Sequence, residues 1–276
     1  MASRYEQFDP TRLKILPLSQ RKNLVSIDDV LLVGDRPMPL DNDDLVQVAR
    51  AITEANRRGA AVVLMIGAHT IKQGLSRYLV DFIRRGRISI IACNGACAIH
   101  DYELARIGAT SESVAENITA GQFGMWRETA ELNDIVSAGN AEGLGFGESV
   151  GRAISQSDFP HKDVSVFAAA WEAGIPATVH IGIGHDIIHQ HPNFDAVAAG
   201  QGSHRDFLIY AKVIENLSGG AVLCFGTAVM GPEVYLKALS MARNVAAAEG
   251  REIRDFTSAV FDLVELGDDL QSEAPK

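Results

Sequence analysis

Four short stretches of this chain combine glycine with side chains that could do chemistry: GAHTIKQG at 67–74, CNGACAIHD at 93–101, HIGIGHDIIHQH at 180–191 and FGTAVMGPE at 225–233. Each follows an apolar run and opens a helical pattern. Glycine lets a backbone come close to a ligand, and the unpaired N–H groups at a helix start favour an anion such as a pyrophosphate. Together the stretches predict the walls of one nucleotide cleft. Within the second, Gly95 permits the approach, Asn94 can hydrogen-bond the ligand, and Asp101 suits a ribose hydroxyl or a substrate amine. Lys72, in the first turn after His69 and Thr70, can reach a phosphate. The G-x-G-x-x-G fingerprint is absent. Gly143, Gly145, Gly147 and Gly151 do not replace it, because no strand precedes them; they read as a loop entering a helix.

Other residue groups invite competing readings. His180, His185, His189 and His191, with Asp186 or Asp195, could form a metal set. Against that, His189 and His191 flank a turn before Pro192, with no helical register to make the rings converge. Lys237, one turn after Glu233, reads as half of a surface ion pair. Three cysteines without metal-ligand spacing fit a reducing compartment, and Cys93 and Cys97 read as buried small hydrophobes.

The elements that must position these residues alternate from residue 44 onward. Leu45, Val48, Ala49, Ile52 and Ala55 share a helical face that stops at Gly59. Ala61–Ile66 and Ile88–Ala92 are continuously apolar, as strands covered on both faces should be. Between them lies a helix with the stripe Leu75, Tyr78, Leu79, Phe82 and Ile83, ended by Gly86. Residues 97 to 173 read as helical, with a capping box at Ser113-x-x-Glu116 and no strand-like run. Strands resume at Thr178–Ile181 and Ala221–Phe225, separated by a helix over 203–217. Gly231-Pro232 starts another helix, and Thr257–Val264 is a last strand. The order is that of a single doubly wound parallel α/β sheet of Rossmann-like type. It divides into an N-terminal extension (1–43), an α/β domain (44–267) carrying a helical insertion (97–173), and a polar tail (268–276).

Composition narrows the function. With 276 residues, 47% of them hydrophobic, the chain can bury a sizeable core. No run approaches the roughly 20 apolar residues of a membrane span, and the N-terminus lacks the apolar core of a secretion signal, so a cytoplasmic protein is expected. The net charge of -10, without basic clusters, argues against nucleic acid as a partner and suits a cationic small molecule.

Over roughly residues 45 to 265 the chain resembles the deoxyhypusine synthase family, and more closely its bacterial synthase-like branch. The resemblance lies in GAHTIKQGLSRYLVDFIRRG, CNGACAIHDYELARIGATSESV, GIGHDIIHQHPNFD and GGAVLCFGTAVMGPEV. It implies a Rossmann-like domain that binds NAD, a homotetramer with sites between subunits, and oxidation of a polyamine carbon with aminobutyl transfer. A related domain also occurs in enzymes that turn ornithine into proline. By that resemblance the turns at Gly67 to Thr70 and Asn94 to Ala96, with Asp101 and Asp186, match positions that would line the dinucleotide or polyamine; the residues expected to bind the cofactor are Gly67, His69, Thr70, Lys72, Asn94, Gly95, Gly184, Asp186, Gly226 and Thr227. True synthases carry an imine-forming lysine just after the fourth strand, where this chain has Gly226-Thr227-Ala228-Val229-Met230-Gly231. Without that amine, a Schiff-base intermediate is not available.

The reading that follows is an NAD-dependent enzyme acting on a small amine, polyamine or amino acid. His100 or His185 takes the ammonium proton, and Asp101, Asp186 or Glu233 holds the cation. The alternatives are a metal-dependent hydrolase built on His180–His191 and a non-catalytic NAD-binding protein.

Overall fold

Five apolar runs pair into one parallel sheet in the computed structural model, which describes residues 3–35 and 41–262. The strands are β1 (Val62–Ile66), β2 (Ile90–Asn94), β3 (Ala177–His180), β4 (Ala221–Phe225) and β5 (Thr257–Phe261), in the spatial order β3-β2-β1-β4-β5. This is the doubly wound, Rossmann-like arrangement, and the chain reverses direction across the sheet between β1 and β4.

The helices are α1 (Asp43–Arg58), α2 (Ala68–Lys72), α3 (Ser76–Arg84), α4 (Gly95–Ile107), α5 (Val114–Thr119), α6 (Arg127–Ala141), α7 (Phe146–Gln156), α8 (Val166–Ala173), α9 (Ala196–Ile214) and α10 (Met230–Ala248). Every residue of β1 is buried, and its side chains alternate between two cores. Val62, Leu64 and Ile66 pack with Leu79 and Ile83 of α3, Leu104 of α4 and Phe167 of α8. Val63 and Met65 pack with Tyr210 and Ile214 of α9 and Leu239 and Ala242 of α10. The period-two alternation thus covers both faces with helices, which is why the strands read as unbroken apolar runs.

Most predicted elements form where local chemistry placed them. Asn42 accepts the Leu45 amide at 3.0 Å to start α1, and Gly59 ends it in the left-handed conformation at φ +68°. Helix α9 begins well before the predicted position 203, because Asp195 accepts the amides of Val197 and Ala198 at 2.9 and 3.0 Å. The helical middle also contains a strand that was not predicted: Ala109–Thr110 pairs antiparallel with Val25–Ser26. Two residues are too few to show a period. The predicted last strand ends at Phe261; Leu263, Val264 and the polar tail lie outside the described residues.

The N-terminal segment crosses the helical middle. Leu16 exchanges backbone hydrogen bonds with Met125 and Arg127, both at 2.9 Å. A little further on, Arg21 is inserted against α4, where it becomes part of the site. No described helix is long and apolar enough to cross a membrane.

Candidate active site

The turns after β1 and β4 meet where the sheet reverses. Ile66 and Phe225 are register partners, and the Gly67 amide donates to the Phe225 carbonyl at 3.0 Å. A Cβ at Gly67 would lie 2.1 Å from the Gly226 carbonyl oxygen, so only glycine lets these two backbones touch. Gly226 itself has φ +59°, the left-handed region. Beside the contact opens a crevice of about 880 Å³ lined by His69, Thr70, Gln73 and Gly226. Its floor is Phe225 stacked on Phe261 at 4.0 Å between ring centroids. No side chain caps the start of α2 at this crevice.

A second hollow, about 220 Å³, lies over the ends of β2 and β3. Lys72, His100, Glu103, Glu112, His185 and Asp186 face it, with Arg21 and Ala96. Burial and pairing have already neutralised part of this wall. Arg21 forms a two-pronged pair with Glu103 at 2.8 and 2.7 Å, both side chains almost wholly buried. Glu103 also accepts the hydroxyls of Thr110 and Thr129, at 2.6 and 2.5 Å. Glu112 is satisfied by the Gly124 amide, the Trp126 indole N–H and the Asn117 amide group. His100 Nδ1 lies 2.7 Å from the Thr110 hydroxyl, and burial pushes its pKa down to about 4, with nearby Lys72, Arg21 and His69 acting in the same sense. The ring is therefore neutral in ordinary buffers.

Asp186 reaches this hollow from the loop after β3 and lies against the start of α4. A Cβ at Gly95 would fall 2.1 Å from its Oδ2. Burial raises its pKa to about 6, opposed by His185 and by a hydrogen bond from the Ala96 amide. Asn94 also accepts the Cys97 amide at 3.3 Å. The anion at this helix start is thus the protein's own carboxylate, at the place beside Asn94 and Gly95 where a pyrophosphate was expected.

The four turns converge on one end of the sheet, but they frame two spaces where one cleft was predicted. Helix α2 is the wall between them: His69 and Thr70 line the crevice, and Lys72 lines the hollow. Thr227 is buried, and its hydroxyl accepts the Gly231 amide at 3.0 Å, so it shapes the start of α10. Gly184, exposed, donates its amide to His189 Nδ1 at 3.1 Å.

Two acids lie elsewhere. Asp101 accepts the Ser165 hydroxyl at 2.5 Å and the amides of Val166 and Phe167 at 2.8 and 3.3 Å, inside the core. It fastens the start of α8 and lines neither space, where a ribose or amine contact was expected. Burial nonetheless raises its pKa to about 6. Glu233 pairs with Lys237 on the exposed face of α10, as the spacing suggested for the lysine, and lines neither space. The histidine group also disperses. His180 Nε2 lies 3.0 Å from the Thr178 hydroxyl, His191 Nε2 2.7 Å from the Gly124 carbonyl, and His189 Nδ1 accepts backbone amides. Among the described residues no group of three or more potential ligands could hold a metal ion, so this structure gives the hydrolase reading no support. Sequence reasoning missed Arg21, Glu103 and Glu112. The pair joins positions 82 residues apart, a separation for which one sequence carries no signal.

No protein-family model and no curated protein matches the chain. Solved structures with some likeness include ArgZ, an arginine dihydrolase from the ornithine-ammonia cycle in cyanobacteria, with TM-score 0.47 and 17% identity over 72% of this chain and 26% of that one. A second is a conserved LOR/SDH protein from Methanococcus maripaludis S2, with TM-score 0.47 and 15% identity over 84% and 68%. A third is AgrE in ternary complex with ornithine and NAD+, with TM-score 0.44 and 17% identity over 75% and 27%. None of these three is a deoxyhypusine synthase. This chain spans only about a quarter of the length of ArgZ and AgrE, and its fold assignment rests on its own strand order.

Proposed function

We propose that the chain is an NAD-dependent enzyme that takes hydride from the C–N carbon of a small amine or amino acid. The observation that carries this reading is the adjacency of the two spaces. A large glycine-walled crevice lies at the sheet reversal, where dinucleotides bind in this fold class, and the short helix α2 lines both it and a hollow holding an ionisable carboxylate and two imidazoles. Hydride transfer needs contact, so the nicotinamide end would have to reach past α2 to the hollow. The crevice suits the cofactor: the Gly67–Gly226 contact admits no Cβ, and His69, Thr70 and Gly226 would hold the dinucleotide. Bound there, NAD supplies a two-electron acceptor for hydride.

The remaining chemistry belongs to the chain. Asp186 binds the cationic nitrogen. An ammonium has no lone pair to form C=N as hydride leaves, so it must first lose a proton. His185, exposed at the rim of the hollow, takes that proton. His100 is unsuited to the task, because an imidazole held near pKa 4 is a poor base; it supplies a neutral hydrogen-bonding group.

Aminobutyl transfer of the deoxyhypusine synthase kind is not part of this reading. Among the described residues no lysine lines the crevice beside Gly226, and Lys237 is engaged by Glu233 on the surface. The homotetramer implied by the family resemblance remains a proposal, to be checked by sedimentation of the purified protein. Titrating the protein with NAD and NADP, followed by nicotinamide reduction across a panel of amines and amino acids, tests the whole. Binding of neither dinucleotide would sink it, and binding without turnover would favour the non-catalytic alternative.

A further inference from the structure

The hollow over β2 and β3 contains more charge than it cancels, and the excess has a pattern. Arg21 is consumed by Glu103, and all three donors around Glu112 are neutral. Glu112 keeps its negative charge, but its oxygens are occupied by those three donors, so two charged groups remain with capacity for a ligand. Lys72, half-buried on α2, makes no hydrogen bond or ion pair among the described residues. Asp186, 9% exposed, accepts the Ala96 amide but has no lysine or arginine partner among the described residues. Its nearest candidate, His189 Nε2, is 3.8 Å away, has no hydrogen-bond partner, and sits on a ring whose pKa burial lowers.

A small hollow with a lysine that has no partner and a carboxylate that has no basic partner fits a ligand that carries both charges. We infer that this hollow binds the zwitterionic head of an α-amino acid, the carboxylate at Lys72 and the ammonium at Asp186. This deepens the proposed reading by choosing amino acids over simple amines and polyamines. A diamine would leave Lys72 facing a like charge. A monocarboxylate would do the same to Asp186. An amino acid answers both, and the discrimination comes from the unpaired group that the wrong ligand leaves behind. The volume of about 220 Å³ leaves space for a side chain of a few carbons.

Binding of two ligand trios to the full chain, read by calorimetry or ligand-observed NMR with no dinucleotide present, tests the inference. One trio is L-norvaline, butylamine, which lacks its carboxylate, and pentanoate, which lacks its ammonium. The other is L-lysine, 1,5-diaminopentane and 6-aminohexanoate. At least one amino acid should bind tenfold or more tighter than both of its truncated partners. Lys72→Met should erase the advantage over the amine, and Lys72→Arg should restore much of it. Asp186→Asn should erase the advantage over the carboxylate, which gives a second route if the lysine variant folds poorly. Equal affinity for amine and amino acid, or no binding by either trio, overturns the inference. NAD titration is read separately, so a protein that binds dinucleotide but prefers amines refutes the zwitterion and spares the hydride chemistry; the converse result does the opposite.

Discussion

The turn after β1 and the turn after β2 start from neighbouring strands with the same ingredients, a glycine and a polar residue leading into a helix. In the first, Gly67 presses against the Gly226 carbonyl, no side chain caps α2, and a crevice of about 880 Å³ is left open. In the second, Gly95 presses against the Asp186 carboxylate and Asn94 caps α4, so the chain answers that helix start itself. The difference teaches that a glycine-polar turn marks a place of close approach without saying what approaches. In one case it is another backbone beside an open crevice, and in the other it is an acid from a distant loop.

The largest effect that would separate the two regions is loss of Arg21. Arg21→Ala leaves Glu103 charged and unpaired in the core, which should destabilise the protein by about 3–5 kcal/mol. Denaturant unfolding measures this, and a loss below about 1 kcal/mol would mean that the pair does not organise the hollow. Asp101→Ala should cost roughly 2–4 kcal/mol by leaving buried donors at the start of α8 unanswered, with KM unchanged in the variant that remains folded. A raised KM at unchanged stability would restore Asp101 to the site.

Gly67→Ala probes the crevice alone. Its Cβ collides with backbone, which cannot swing aside as a side chain would, so roughly 1–3 kcal/mol of strain and a loss of dinucleotide affinity of at least about tenfold are expected. Amino-acid binding in the other hollow should persist. Gly95→Ala meets a carboxylate instead, and should weaken amino-acid binding while leaving NAD binding intact.

Asp186 offers a pH test with a definite sign. Its folded pKa, about 6, lies above the ordinary aspartate value of 3.8, so its contribution to stability is complete only below the lower value and is lost as pH rises through about 6. Keeping it ionised at pH 7 therefore costs stability, and Asp186→Asn should be the more stable form there by about 1–3 kcal/mol. That gain should vanish as pH falls from 7 to 4. Comparing variant with wild type at each pH cancels the opposing titration of His100, His180, His189 and His191, whose lowered pKa values act the other way. Affinity for a cationic nitrogen should fall over the same range as the carboxylate is protonated. The smallest effect belongs to Lys237→Ala, within about 0.5 kcal/mol and without consequence for binding, because its pair with Glu233 is exposed.

By itself the amino-acid sequence determined the five strands of the parallel sheet, most of the helices and the end of the sheet where the four glycine-polar turns meet. Those features follow from local causes: β-branched apolar runs, helical stripes, an αL glycine at the end of α1, and the absence of competing turns. It also located Lys237 on the surface, since an i,i+4 pair needs no tertiary information. Which residues share a hollow was decided only by the tertiary structure. Asp101 and Asp186 are both acids near glycine-rich turns, and nothing local tells that one turns inward to fasten α8 while the other lies over α4. Arg21 reaches Glu103 because the N-terminal segment is laid across the helical middle, and that path depends on contacts such as Leu16 with Met125 and Arg127. Secondary structure is written in neighbours a few positions apart, but the charge balance of a site is summed over segments that meet only after the chain has folded.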